Sequence, residues 1–195
     1  MTRFSKHERE LLSWAYRGIA LQLVDGDIAR QDTDAVTTAA HWRLNGGSGT
    51  DGTIHALGGP SILAECRRIG GCPIGDAVVT GAGDLAARYI IHAVGPVCDV
   101  EQDRSRTEQL LASAYRATLT RAVELGVRSV SIPAISTGAF GVPLDWAVPI
   151  AVTSVLGFLE RSETRLELVR HVVYTREHPT IFERYRAAIE TRLAL

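Results

Sequence analysis

Short aliphatic runs alternate with helical periods along almost the whole chain, and most runs stop at glycine or a small polar residue. Runs at Ile19–Val24, Ala35–Ala39, Ala77–Thr80, Tyr89–Val94, Val127–Pro133 and Leu166–Tyr174 read as strands. Thr53–Ile69, Thr107–Leu125, Pro143–Leu159 and Thr180–Leu193 carry helical periodicity. Gly70-Gly71 and Gly126 supply stops, and Pro149 predicts a late start or a kink in the third helix. Strands that alternate with helices need crossover connections, so a largely parallel sheet with helices on both faces is expected. Phe4–Tyr16, with apolar positions among charges and Gly18 behind them, reads as an amphipathic helix, an N-terminal arm over residues 1–18 ahead of one domain over 19–195. Cys98–Arg106 is the most loop-like break. No linker, repeat or low-complexity tract interrupts the rest.

Composition narrows the partners. Lys+Arg 21 against Asp+Glu 22 in 195 residues gives a net charge of −1. A general nucleic-acid coat needs a large basic excess, which is absent. No apolar run reaches the ~20 residues that span a bilayer, and the charged first ten residues are unlike a signal peptide. Cys66, Cys72 and Cys98 are odd in number and lack CxxC spacing, which reads as free thiols in a reducing, cytoplasmic setting. Lys6 is the only lysine, so no residue beyond it supplies a catalytic lysine.

In open α/β sheets ligands bind at the carboxyl ends of the strands, and three unusual segments fall there. Gly26-Asp27-Ile28 follows the first run; Asp27 either accepts hydrogen bonds from an exocyclic amine or caps a short helix. Asn45-Gly46-Gly47-Ser48-Gly49-Thr50-Asp51-Gly52 precedes a helix. It matches G-x-G-x-x-G literally, but it follows no buried strand, has no acidic residue at the Rossmann distance and no GK[ST]. Its small residues still allow close backbone approach and present helix N-terminal N–H groups to an anion. Asp51 either caps that helix or handles a proton or water beside the anion. Ile135-Ser136-Thr137-Gly138-Ala139-Phe140-Gly141-Val142-Pro143 offers a second anion cradle, with Phe140 either exposed at a loop tip for a ligand to cover or plugged into the core. His55 and His92 lie on apolar stretches and read as hydrogen-bonded core histidines. No His/Cys cluster has zinc spacing, Ser136 lacks a nucleophile elbow, and Cys72 reads as structural.

Two glycine-rich anion loops and an isolated acid at another strand end suit a diphosphate-bridged nucleotide. With VDGDI (24–28), DAVTTAAH (34–41), LNGGSGTDGTIHALGGP (44–60), GGCPIGDA (70–77), YIIHAVGP (89–96) and PAISTGAFGVP (133–143) in order, the chain resembles the macrodomain family, and within it the MacroD type of ADP-ribosyl hydrolase. The resemblance runs from Ile19 to about Ile189. It implies a three-layer α/β/α sandwich with a six- or seven-stranded mixed sheet that binds ADP-ribose, with no metal or cofactor. It further implies that Asp27 accepts from the adenine amine, Ile28 lines the base and Tyr174 stacks on it. Gly46, Gly47, Ser48 and Gly49, together with Ser136, Thr137, Gly138, Ala139, Phe140 and Gly141, would enclose the diphosphate, Phe140 also packing on the distal ribose. Asp51 would be the catalytic acid that primes a water, releasing mono-ADP-ribose from protein carboxylates; deacetylation of O-acetyl-ADP-ribose is a related activity. Mono-ADP-ribosylated proteins would be the partners, with no membrane, and nucleic acid only as an ADP-ribosylated substrate. One departure stands out. The family usually reads Asn-Ala-Ala-Asn where this chain has Thr38-Ala39-Ala40-His41, so His41 takes the place of an asparagine that contacts the distal ribose and helps place the water. That exchange keeps a reading as a non-catalytic ADP-ribose reader open.

Overall fold

The computed structural model describes residues 10–98 and 104–194. Among the described residues, seven strands form one mixed sheet in the order β1-β2-β7-β6-β3-β5-β4. Its parallel centre comprises β2 (Ile19–Asp25), β7 (Leu168–Val173), β6 (Ser129–Pro133), β3 (Ala35–Ala39) and β5 (Tyr89–Ala93). β1 (Glu10–Tyr16) and β4 (Ala77–Gly81) run antiparallel at the two edges. Helices α1 (Gly49–Gly58) and α2 (Pro60–Ile69) cover one face. Helices α3 (Arg104–Glu124), α4 (Leu144–Arg161) and α5 (Ile181–Leu193) cover the other. The fold is the expected α/β/α sandwich, and its two cores follow the layers. Ile54, Ile62 and Cys66 pack with Val36 and Ile90 on the α1–α2 side, while Leu111, Tyr115, Val155 and Tyr185 pack with Leu21, Ile91 and Val130 on the other.

The expected helical arm is overturned for the residues described. Glu10–Tyr16 is a strand paired along its whole length with β2, from Glu10↔Asp25 to Tyr16↔Ile19. The period is two, with Leu12, Trp14 and Tyr16 turned to the core. Arg17 (φ 52°) and Gly18 (φ 81°) form the two-residue turn with both φ positive that matches hairpin twist, so Gly18 ends no helix. β1 therefore belongs to the sheet; residues 1–9 of the expected arm lie outside the described residues.

Two further boundaries differ. The single helix expected over Thr53–Ile69 begins earlier, at Gly49, and is cut in two at Gly59. Pro60 disfavours a helical residue before it and then opens α2 from the first position, where its missing N–H costs nothing. α4 starts at Leu144 and runs through Pro149, which is exposed and forgoes only the bond to the Asp145 carbonyl. Of the Cys98–Arg106 break, residues 99–103 lie outside the described residues, and α3 begins at Arg104. Among the described residues, no helix is long and apolar enough to cross a membrane.

Two histidines are buried as neutral rings. His171 on β7 packs on the Tyr185 ring at 5.1 Å, and burial pushes its pKa down to about 4. Burial, with His55 nearby, pushes His92 down to about 3. Both rings take up protons in the unfolded chain near pH 6.5 but resist them when folded, so unfolding binds protons between those values. Stability is thus complete above about pH 6.5 and falls as the pH drops toward 4. Chemical denaturation between pH 7 and 4 checks this: His171→Leu should flatten the profile, removing a loss on the order of 3 kcal/mol at the acid end.

Candidate active site

The five parallel strands end on one edge of the sheet, and the loops that follow four of them enclose a cleft of about 480 Å³. Following β2 it takes Asp27 and Ile28; after β7, Tyr174; after β6, Ser136 to Phe140; after β3, His41 and then Asn45 to Asp51. Of the expected site residues, Gly141 alone lies off the cleft wall, closing the loop by donating from its N–H to the Gly138 carbonyl at 2.8 Å. A larger concavity of about 710 Å³ lies at the opposite ends of the strands. It is shallow, lined by Arg17, Glu163 and the ion-paired Arg128 and Glu167, and has neither glycine loop.

The two glycine loops hold their shape by internal bonds and leave amides over. In the second, Tyr115 bridges Pro133 and Ile135: its hydroxyl donates to the Pro133 carbonyl at 3.3 Å and accepts from the Ile135 N–H at 3.0 Å. Val142 N–H donates to the Ser136 carbonyl at 2.9 Å. Among the described residues, the N–H groups of Gly46, Gly47, Ser48, Gly138, Ala139 and Phe140 donate to no protein acceptor. Close approach shapes both loops. A Cβ on Gly52 would lie 2.6 Å from the Gly47 carbonyl oxygen, and one on Gly95 2.2 Å from Ser136 Oγ. Ser136 holds a left-handed φ of 65°, and its buried hydroxyl has no partner among the described residues. Strain and an orphaned hydroxyl on a cleft wall are features of a binding site.

Asp51 sits in the first turn of α1 with 3% of its surface exposed. Ser48 occupies the N-cap position, which excludes the capping role for Asp51. Thr38 Oγ1 donates to its Oδ1 at 3.1 Å, and His55 Nε2 lies 3.6 Å from the same oxygen. Burial raises the carboxyl pKa above its ordinary value, opposed by His55, the Thr38 hydrogen bond and His41. His55 is therefore no isolated core histidine: one helical turn from Asp51, it shares that residue's face, and i,i+4 spacing was the signal. Thr38 was missed as well; only the packing of α1 on β3 brings it to the carboxylate.

Behind this pair, His55, Cys66 and His92 bring their ligand atoms within 4.8 Å of one another. Sequence spacing hid the group because it is assembled from α1, α2 and β5. Thr80 Oγ1 lies 2.8 Å from His92 Nε2, and Cys66 Sγ 3.8 Å from the same nitrogen. These contacts link the group as a buried polar chain running inward from Asp51, and burial pushes the Cys66 thiol up to about 11.

At the β2 end, Asp27 does cap a short helix: it accepts from Ala29 N–H at 2.9 Å at the start of the 3₁₀ turn Ile28–Arg30, and Arg30 Nε lies 3.5 Å from its other oxygen. A carboxylate has lone pairs for more than one donor, so capping leaves room for a ligand amine. The segment is braced from beneath. Buried Arg170 donates to Gln31 at 2.8 Å, and the Gln31 amide donates to the Asp27 carbonyl at 2.9 Å. Asp25 accepts from Thr175 N–H and Oγ1 at 3.0 and 2.5 Å, tying the β2 end to the segment after Tyr174. His41 accepts from Arg43 N–H at its Nδ1, 3.2 Å away, which leaves Nε2 as the ring's donor.

The sequence profile of the Macro domain family matches residues 37–151. The chain is a macrodomain. It is 43% identical over 168 residues to an O-acetyl-ADP-ribose deacetylase of Cronobacter turicensis, covering 84% of this chain and 94% of that protein. It is 40% identical over 159 residues to the ADP-ribose glycohydrolase MACROD2 of Xenopus laevis, covering 82% of this chain and 38% of that longer protein. The structure of an Oceanobacillus iheyensis macrodomain with ADP superposes with a TM-score of 0.87 at 30% identity, over 95% of this chain and 97% of that one. In this macrodomain the sheet order also sets the sequence of groups along the cleft: Asp27, Tyr174, the Ser136 loop, then Asp51 and His41.

If the Ser136 hydroxyl is kept for a ligand, the empty protein gains nothing from it. Ser136→Ala is then expected to leave the melting temperature of the ligand-free macrodomain unchanged or slightly raised, since an unpaired buried hydroxyl is lost. Gly95→Ala should lower it by several degrees, because the new methyl meets Ser136. Thermal unfolding of the two variants checks both.

Proposed function

We propose that this macrodomain binds ADP-ribose along the cleft and hydrolyses the bond between its distal ribose and a protein carboxylate. The supporting observation is the buried Asp51 carboxylate beside two loops of unused main-chain amides. In this reading Asp27 and Tyr174 take the adenine, with Ile28 beneath it; stacking on such a ring is worth ~1–3 kcal/mol. The Gly46–Gly49 and Ser136–Phe140 amides hold the diphosphate, which fixes the distal ribose against Phe140 and within reach of Asp51. The relatives named for ADP-ribose chemistry and the neighbour with ADP point the same way.

The chemistry follows from the carboxylate. Asp51 accepts from Thr38 and faces the His55 ring, and its raised pKa makes it a better base than a free carboxylate. It takes a proton from a water, whose oxygen bonds to the anomeric carbon as the bond to the protein carboxylate breaks. The products are ADP-ribose and the free acid. The His41 Nε2–H, its ring held by the main-chain N–H at position 43 and not by the Arg43 side chain, is a donor for the ribose or the leaving carboxylate. Hydrolysis of the ester in O-acetyl-ADP-ribose uses the same base on a smaller substrate. Removal of one positioned base costs ~10²–10⁴-fold.

A second reading, an ADP-ribose reader without turnover, is favoured by one observation: His41 replaces the usual asparagine. Retention of Asp51 with two supporting partners favours the enzyme.

Single-turnover release of ADP-ribose from an automodified acceptor separates the two. Asp51→Asn should slow release ~10²–10⁴-fold while calorimetric affinity for ADP-ribose changes little; equal rates would remove Asp51 from the mechanism. The acid limb of the wild-type rate should lie above the ordinary carboxylate range, because the base must be ionised and burial raises its pKa. Asp27→Ala should weaken ADP-ribose binding, with equal affinity refuting the adenine assignment. His41→Asn should change the rate rather than the affinity.

A further inference from the structure

We propose that the surface just beyond the His41 end of the cleft, made by Trp42, Arg43, Arg67, Arg68, Ile74 and Val97, docks an acidic stretch of the polypeptide that carries the ADP-ribose. The inference rests on the function proposed above and adds to it a substrate class. The cleft runs across the strand ends from β2 to β3, and the next strand in the sheet is β5. With adenine at Asp27 and the reactive ribose at Asp51, the group attached to that ribose leaves the cleft toward β5 and the neighbouring start of β4.

Three main-chain bonds join the segments there into one surface. Cys72 N–H donates to the Trp42 carbonyl at 2.9 Å, Gly75 N–H to the Val94 carbonyl at 2.7 Å, and Cys98 N–H to the Phe140 carbonyl at 2.7 Å. The surface is apolar for an exposed rim: Trp42, Ile74 and Val97 are 47%, 43% and 57% exposed. It is continuous with the cleft, since the His41 ring lies 5.5 Å from the Trp42 ring.

Charge selects the occupant. The Arg43 guanidinium lies over the Trp42 ring at 4.7 Å, and Arg67 and Arg68 end α2 just before the Cys72 contact. Among the described residues, none of the three forms an ion pair with a carboxylate. Among the described residues, Glu65 beside Arg67 accepts from Gly81 N–H at 3.0 Å, and Asp76 beside Ile74 accepts from Ala77 N–H at 2.7 Å and faces Arg121 at 3.5 Å, so neither pairs with these arginines. Arg43 over the exposed indole, with Arg67 and Arg68 in the helical turn that leads to the Cys72–Trp42 bond, complements a peptide whose modified carboxylate has acidic neighbours. A stacked Arg–Trp pair also covers the aliphatic part of a peptide.

The test measures binding in an Asp51→Asn background, so that nothing is consumed. Its probes are free ADP-ribose, a glutamyl-ADP-ribosylated peptide flanked by acids, the same peptide flanked by serines, and an oligonucleotide ADP-ribosylated at its terminal phosphate. The acidic peptide should bind about tenfold tighter than free ADP-ribose, with the margin shrinking as salt rises. Arg43→Glu and the Arg67→Glu/Arg68→Glu pair should each remove most of that margin while free ADP-ribose keeps its affinity. Equal binding of both peptides and free ADP-ribose, or tighter binding of the oligonucleotide, overturns the docking surface and leaves the proposed function standing. Failure of free ADP-ribose to bind overturns both. A variant that loses free ADP-ribose affinity together with the peptide margin counts against docking, because its damage then lies in the cleft.

Discussion

A carboxylate with almost no exposed surface, at the end of a parallel sheet, is the constraint that the surrounding architecture answers. Burying Asp51 is costly unless its charge finds partners. Thr38 supplies one from β3, and His55 supplies another from the next turn of α1. The Thr38 bond fixes where β3 and α1 meet, and hence the path of the glycine loop that joins them. Gly52 lets α1 approach the Gly47 carbonyl within that loop, so the same close packing that shelters the carboxylate also shapes the amide cradle beside it.

The rest of the cleft depends on braces that never touch it. Tyr115 fixes the exit of β6 through two backbone bonds, and its own burial pushes its phenol up to about 12, so it stays a neutral donor and acceptor. Arg170 works through Gln31 to hold the Asp27 backbone, and Asp25 ties the β2 end to the residue after Tyr174. These are polar groups inside a largely aliphatic core, satisfied by one another, and they give the loops a rigid floor. Loops that bind a flexible dinucleotide lose less entropy when they are already held in place.

Much of this was legible in the chain. Continuous aliphatic runs gave the central strands, because a buried parallel strand needs apolar residues on both faces. The site could be located because glycine and hydroxyl residues gather where those runs stop. What could not be read depended on contacts between distant segments or on a choice between periods. Leu12, Trp14 and Tyr16 alternate as a strand, yet Phe4, Leu11, Leu12, Trp14 and Ala15 with the charged residues between Phe4 and Leu11 read as one face of a helix, and only pairing with β2 decides. Thr38 looked like one more strand residue until the packing of α1 on β3 set it against Asp51. His55 carried a helical-spacing signal that an apolar setting masked. The grouping of Cys66 with two histidines had no linear signature at all.

The hairpin at the front of the sheet has a practical consequence for anyone trimming the protein. Cutting at the apparent domain start, Ile19, would strip a whole row of main-chain partners from β2 and leave a long aliphatic border unguarded. Such a border is a template for another copy to add to. A shortened version would therefore tend to stick to itself through a ladder the intact molecule fills internally.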